Sequence, residues 1–374
     1  MADIPNVRFR GFTDDWEQRK LIEEVSSIDT GKSKFTVSES GNYEILGSTS
    51  VIGYDASYDY EGDFILTARV GANAGELYKH SGKVKISDNT VFIQGKQIDF
   101  VFYTLQNFNI KKLSFGTGQP LVKASELKEQ KIAMPVSENE RKQIGAYFCA
   151  LDHLITLHQH KCEVTKELMK YMLQKMFPKN DKKIPEIRFA GFTDDWEQRK
   201  LGDVFEEYSE KNHPDMPALT IVQGGGTVKR EESERNLMYD KSNLSGYKMV
   251  RENDFIVHLR SFEGGLERAS SDGIISPAYH TFHGENVDSR FYYPYFRSYE
   301  FIKRKLIAHV YGIRDGRSID IDGLKTIKIP YTSYEEQRKI GDYLESLDHL
   351  ITLHQRKYEE LKEVKKFMLQ NMFV

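Results

Sequence analysis

The segment Ile4 to Leu21, IPNVRFRGFTDDWEQRKL, returns as IPEIRFAGFTDDWEQRKL from Ile184 to Leu201, with 15 of 18 positions identical at an offset of 180. A second pair follows: Glu140 to Phe177 is echoed by Glu336 to Phe373, and LDHLITLHQ is unchanged at Leu151–Gln159 and Leu347–Gln355, an offset of 196. A period this long is a duplicated domain unit; solenoid repeats run roughly 20–50 residues. The segments between, about Ile22 to Met134 and Gly202 to Ile329, show no obvious similarity to each other. The order is start element, variable block and long segment, then all three again. The expected divisions are 1–134 and 135–178, then 179–329 and 330–374, with the polar linker FPKNDKKIPE at the main boundary.

The long segments predict helices of about 40 residues, roughly 60 Å at 1.5 Å per residue. In the first, Ile144, Phe148, Leu151, Ile155, His158, Cys162, Thr165, Met169, Met172 and Met176 alternate steps of four and three. The second runs Ile340, Leu344, Leu347, Ile351, His354 and onward to Met372. This is the heptad seam of a coiled coil, which cannot be buried alone. The natural partner of each helix is the other copy, and duplicate units related by a two-fold place such helices antiparallel. Pairing between chains is the alternative, since heptads underdetermine partner choice.

The variable blocks predict mixed, strand-rich domains, giving an α+β chain. FILTARV (Phe64 to Val70), TVFIQ (Thr90 to Gln94) and DFIVHLR (Asp254 to Arg260) read as strands, punctuated by GANAG at Gly71–Gly75 and by FEGGLE at Phe262–Glu267. Each block carries one helix-like stretch, near Phe100–Phe108 and Tyr299–His309, and closes on a short strand running into Pro135 or Pro330.

Signatures of catalysis are sparse. The carboxylate pairs Asp14–Asp15 and Asp194–Asp195 fit a capped helical turn better than acid–base work, because adjacent side chains point apart. His153, His158 and His160 lack the three- or four-residue spacing that aims two helix ligands at one metal. Cys149 and Cys162 carry no C-x-x-C and make no disulfide framework; they read as packing residues. FGTGQP at Phe115–Pro120 and GGG at Gly224–Gly226 match neither a dinucleotide nor a phosphate loop. No apolar run approaches the roughly 18 residues of a membrane span, and MADIPNVRFRGF has no secretory pattern. A cytoplasmic location is the expectation, with no membrane and no metal.

Net charge is −3, from 53 basic and 56 acidic residues, which argues against a coating of positive charge for nucleic acid. The distribution is uneven, however. Each variable block sums to −2, yet Phe100 to Ser125 holds Lys111, Lys112 and Lys123 and no acid. Arg290 to Ile319 holds seven basic residues, among them Arg290, Arg314 and Arg317, against Glu300 and Asp315. These stretches occupy the same place in each unit. Basic loops bearing Thr, Gln, Ser and Arg suit phosphate anchoring with base-edge readout. The candidates are Arg69, Lys111, Lys112, Thr117, Gln119 and Lys123 in the first block, and Arg260, Arg290, Arg314, Arg317 and Ser318 in the second. An ordinary solvated surface is the competing reading.

The full arrangement resembles the specificity subunit of type I restriction–modification systems, over nearly the whole chain. The resemblance is carried by the start element with Trp196, Lys200, Leu201 and Gly202, the closing proline, and the Glu336-Gln337-Arg338-Lys339-Ile340 helix start, all in a unit present twice. The first unit departs with Leu21-Ile22-Glu23 and Glu140-Arg141-Lys142-Gln143-Ile144. The resemblance implies a non-catalytic chain with two target-recognition domains, each reading one half of a bipartite sequence in double-stranded DNA. It implies an antiparallel coiled coil between them that sets the unread spacer. It also implies two methyltransferase subunits, and restriction subunits that translocate with ATP. S-adenosylmethionine, ATP and Mg would then sit on the partners, with no cofactor in this chain. A self-contained methyltransferase or nuclease, or a coiled-coil scaffold, is the alternative.

Overall fold

A computed structural model describes residues 4–113, 120–179, 182–233, 241–258, 265–312 and 318–374. The first variable block opens on β1 (Glu17–Lys20), α1 (Leu21–Glu24) and β2 (Ser27–Thr30), and continues with β3 (Tyr43–Leu46), β4 (Val51–Asp55), β5 (Tyr60–Ala68), β6 (Leu77–Ile86) and β7 (Thr90–Gln94). Then come α2 (Ile98–Phe108), α3 (Ala124–Glu129), β8 (Lys131–Met134) and the long α4 (Glu138–Lys175). The second half carries β9 (Glu197–Lys200), α5 (Leu201–Val204), β10 (Glu206–Tyr208), β11 (Leu219–Val222), β12 (Gly226–Lys229), β13 (Lys248–Val250) and β14 (Phe255–His258). It continues with β15 (Glu267–Arg268), β16 (Gly273–Ile275), β17 (Tyr279–His283), α6 (Ser289–Phe296), β18 (Val310–Tyr311), β19 (Ser318–Ile319), α7 (Ile321–Thr326), β20 (Lys328–Tyr331) and α8 (Tyr334–Met372).

The chain divides into two compact units, residues 1–159 with 355–374, and residues 160–354. Each therefore contains one variable block, the first part of one long helix and the last part of the other. The first unit is built on a six-stranded sheet ordered β2-β7-β5-β6-β3-β4, antiparallel except where β3 meets β6. The second has a four-stranded antiparallel sheet ordered β10-β17-β14-β15, flanked by the pairs β11–β12 and β13–β16. The strand of each start element pairs with the strand that closes its block: Glu17 opposite Met134, and Glu197 opposite Tyr331. That pairing ties the repeated sequence to both ends of the variable one.

The heptad seam is real. Within the first unit, Ile144, Phe148 and Leu151 are buried and share a core with Leu361, Met368 and Met372 of α8, and Ile155 is half-buried. Phe148 meets Phe373, while four residues on, Asp152 pairs with Lys365 at 2.6 Å. Ascending on one helix is descending on the other, so the segments run antiparallel. In the second unit, Ile340 and Leu344 share a core with Met172 and Met176 of α4, Leu347 is buried and Ile351 is half-buried. Cys162 is buried and directs its Sγ at the Ile351 carbonyl.

An aromatic knot closes each unit. Trp16, Phe100 and Phe373 lie 5.8–6.2 Å apart in the first; Trp196, Phe291 and Phe177 lie 4.8–6.0 Å apart in the second. The phenylalanine that ends one long helix thus fills the unit begun by the other. The backbone repeats the pattern, since Val7 N–H donates to Asn371 O at 2.9 Å and Ile187 N–H to Lys175 O at 3.0 Å. Gly145 and Gly341 let each long helix press on the first turn of the domain helix. A Cβ at Gly145 would lie 3.0 Å from Phe100 N, and one at Gly341 3.1 Å from Phe291 N. Truncating such buried rings costs about 3–5 kcal/mol. Phe373→Ala and Phe177→Ala are each expected to lower the thermal midpoint by several degrees, whereas Val374→Ala, at an exposed site, leaves it unmoved.

One expectation is corrected and another is completed. Thr13–Glu17 is no helical turn: the chain is irregular there and enters β1 at Glu17. Arg8 explains the register, since it donates to the Asp14 carbonyl at 2.7 Å and forks onto buried Glu140 at 2.6 and 2.8 Å. Arg188 does the same to Asp194 and Glu336. In the second block the helix-like stretch expected near Tyr299–His309 is helical, as π and 3-10 turns, but an α-helix that the sequence did not mark, α6, precedes it by ten residues. Pro294 hid α6 from the sequence, because proline removes a helical donor. Burial of Phe291, Tyr292, Tyr295 and Phe296 outweighs that loss, and Asp288 caps the start by accepting from Arg290 N–H at 2.9 Å. The stretch expected to be the helix holds a π-helical turn, Glu300–Lys305, followed by a 3-10 turn.

Candidate nucleic-acid interface

Thr117, Gln119, Arg260, Arg314 and Arg317 lie outside the described residues. Arg69, Lys111, Lys112 and Lys123 are gathered at one end of the six-stranded sheet, where the interior strand β5 finishes. β5 ends at Ala68 and the GANAG loop turns back, with Gly71 and Gly75 at φ 98° and 87°. Gly75 is required by closeness as well as by φ, since a Cβ there would sit 2.9 Å from Lys111 Cα. Its N–H donates to the buried Thr67 hydroxyl at 3.0 Å. Gly71 N–H donates to Pro120 O, and Val122 N–H to Arg69 O. These bonds lay residues 120–123 beside the loop and the Ile110–Leu113 turn, so Arg69, Lys111, Lys112 and Lys123 share one end, all exposed.

Two of the four are already paired. Lys111 meets Glu76 at 2.9 Å and Lys123 meets Glu126 at 2.7 Å. Exposed pairs of this kind contribute about 0–1 kcal/mol, so a phosphate can displace the carboxylate. Among the described residues no carboxylate lies within ion-pair distance of Arg69 or Lys112.

In the second unit the candidates separate. Arg290 sits at the joint of α6 with α8, bonded to Asp288 through Nε at 3.0 Å and Nη2 at 2.6 Å, and to Asp342 through Nη1. Its donors are engaged within the fold, and it positions the joint. Ser318 opens β19 opposite Tyr311.

A cluster the sequence reading did not single out lies at the other end of α6. The Tyr293 ring is flanked by Arg268 at 5.4 Å and Arg297 at 5.2 Å. Buried Glu267 accepts from the Tyr293 hydroxyl at 2.8 Å and from Gly224 N–H at 2.9 Å, which pins the turn between β11 and β12 against the helix. Burial, then the Glu267 charge, pushes the Tyr293 hydroxyl well above its ordinary pKa, so it stays a donor. Arg297 is half-buried and turns Nη1 toward the Gly224 carbonyl. Arg268 also pairs with Glu345 at 3.1 Å and Arg297 lies 3.9 Å from Glu267, so a phosphate or base edge would compete with these acids for guanidinia already placed beside an aromatic ring. Tyr293 and Arg297 are four apart on one helix, a spacing visible in the sequence once α6 is known.

No group of three or more His, Cys, Asp or Glu side chains suited to a metal occurs among the described residues, and no described helix is long and apolar enough to cross a membrane. Cys149 and Cys162 are free thiols, with Cys149 accepting from Lys79 Nζ at 3.1 Å.

Comparison with known proteins gives one consistent family. The model of the type I restriction modification DNA specificity domain matches residues 13–166 and again 193–363. The chain is 28% identical over 323 residues to the MjaVIII type I restriction enzyme specificity subunit of Methanocaldococcus jannaschii, covering 79% of this chain and 75% of that one. The type I restriction–modification S subunit of M. genitalium shares the fold at a TM-score of 0.69 with 15% identity, covering 99% of both chains.

Proposed function

Because this chain belongs to the type I restriction–modification DNA specificity family, we propose that it reads a bipartite DNA target, one half per unit, within a larger complex. The carrying observation is the combination of near-identical frames with dissimilar inserts: one aromatic knot, one Arg–Glu fork and one start-strand pairing in each unit, around different sheets. A frame kept twice holds common partners, while inserts that differ read different sequences.

The first insert presents Arg69, Lys111, Lys112 and Lys123 to the phosphates, and the second presents Arg268 and Arg297. Thr117, Gln119, Arg314 and Arg317, which lie outside the described residues, are proposed to supply further contacts. The long helices set the unread spacer. At 38 and 39 residues each rises about 57 Å, against roughly 34–36 Å between half-sites one helical turn apart.

Methyltransferase subunits dock on the repeated helices, whose outer faces keep large apolar side chains exposed: Leu168 and Tyr171 on α4, and their equivalents Val364 and Phe367 on α8. Such apolar faces on water-exposed helices mark interaction surfaces. Catalysis, S-adenosylmethionine, ATP and Mg belong to the partners, and the extraction of the target adenine is theirs. Mapping methylated adenines in DNA from cells carrying this chain with its partners tests the reading. A two-part motif with a fixed gap is expected; methylation independent of this chain, or at an undivided motif, overturns it.

A further inference from the structure

We propose that each variable block is matched to its own long helix by a charge-coded joint, so that a block is held in position by the helix it precedes and would be mispaired on the other. Asp99 and Arg290 are the positioning residues. Their effect on DNA reading rests on each block recognising one half of the target. The joint is where the first turn of α2 or α6 lies on the glycine near the start of the long helix. Asp99 is the second residue of α2 and Arg290 the second of α6. A Cβ at Gly145 would lie 3.1 Å from Asp99 Cβ, and one at Gly341 would lie 3.1 Å from Arg290 Cβ. The two side chains therefore start from the same place in the two units, with opposite charge.

The long helices answer that difference. On α8, Asp342 and Glu345 face the block: Arg290 pairs with both, and Arg268 of β15 reaches Glu345 at 3.1 Å. The equivalent residues of α4, at the offset of 196, are Ala146 and Cys149. Neither brings a charge, since burial and then Asp99 push the Cys149 thiol up. The first block needs none from α4. Its Asp99 pairs with Lys79 of β6 at 2.5 Å, and Lys79 Nζ lies 3.1 Å from Cys149 Sγ. Lys79 thus stands to Cys149 as Arg268 stands to Glu345. The second block brings Arg268 and Arg290 against one acid of its own, Asp288, and its helix supplies two more. From Leu151 and Leu347 the helices are identical for nine residues; the charge difference lies before them, in the turns that touch the block.

Misplacing either block breaks the match. The first block on α8 would set Asp99 against Asp342 and Glu345, a like-charge contact that opposes docking. The second block on α4 would deprive Arg268 of Glu345 and Arg290 of Asp342 and Glu345. Attraction in the right pairing and repulsion in the wrong one together give specificity. The contacts are partly exposed, so each is modest, but they act on the angle at which a whole recognition block leaves its helix.

The test copies the second joint into the first, in the full chain. D99R alone sets a second cation beside Lys79, and A146D/C149E alone sets two acids beside Asp99. Each is expected to lower the thermal midpoint of the purified chain by several degrees. Each is also expected to reduce the fraction of target sites methylated, in cells supplying the partner subunits, by at least about fivefold. D99R/A146D/C149E is expected to recover both, although it carries more changes than either parent. A146N/C149Q, of matching size without charge, is expected to impair the chain less than A146D/C149E. A triple variant as impaired as the worse parent, parents that match the unaltered chain, or equal impairment by the charged and neutral pairs overturns the proposal. Midpoints that follow the charges while methylation stays constant also overturn it, because block position then does not depend on the joint. The midpoint is read without DNA and the methylation map of the unaltered chain is untouched by these outcomes, so failure here is distinguishable from failure of the DNA-reading role.

Discussion

Inserting one heptad into each long helix, after Gln159 and after His354, is expected to lengthen the unread spacer by one to three base pairs while both half-sites stay the same. The insertion points are the boundaries of the two compact units, so each unit keeps every contact of its own core. Seven residues hold the phase of a 3.5-residue seam, drifting only about 20° in a straight helix. The added rise is about 10 Å, or roughly three base pairs at 3.4 Å each. Three base pairs also turn a duplex of about 10.5 per turn by close to 100°, so the smaller increments ask less torsion of the DNA. Four-residue insertions rotate the seam and are expected to abolish methylation. The measurement is a methylated-site map from cells carrying the variant. A motif with an unchanged gap would end the idea that the helices act as a ruler.

Neutralising the basic end of the first unit's sheet should be nearly as consequential. Arg69→Gln with Lys112→Gln removes two cations with no described carboxylate partner. Each phosphate contact contributes about 0.9 to the slope of log affinity against log salt. The double variant is therefore expected to flatten that slope by about 1.8 and to weaken binding on the order of 30-fold near 0.15 M salt. Binding should fall alike on matched and mismatched duplexes, because phosphate contacts position without specifying. Lys111→Gln alone should do less, since Lys111 starts paired with Glu76. An unchanged salt slope in the assembled complex would remove this end from the interface.

Much of the fold was legible. The duplication announced two like units, and the three-four pattern named the residues that are buried: Ile144, Phe148 and Leu151 in one helix, Ile340, Leu344 and Leu347 in the other. TVFIQ is β7 to the residue. These signals are local and periodic, and burial of an apolar face enforces them. What misled was equally physical. Pro294 reads as a breaker, but a helix whose aromatic residues are buried holds despite it. Asp14–Asp15 reads as a cap, but the Arg8 fork onto Glu140 fixes that chain as irregular, leading into a strand.

The placement of the DNA candidates was half legible. Composition nominated Lys111, Lys112 and Lys123, and the GANAG loop brings Arg69 to them. It also nominated Arg290, whose donors are satisfied inside the fold, and did not single out Arg268 and Arg297 beside the Tyr293 ring. A positive charge in sequence carries no information on whether an acid from another element faces it. Asp342 and Glu345, which meet Arg290, lie more than 50 residues away.

The sequence by itself determined that there are two units, that two long helices frame them, and which helix faces are apolar, because repetition and periodicity are properties of the chain. Only the tertiary structure decided that each unit is finished by the helix of the other. Phe373 completes the knot of Trp16, and Phe177 that of Trp196. A buried ring goes where a cavity of its shape exists, and that cavity is formed by residues the chain brings together only on folding.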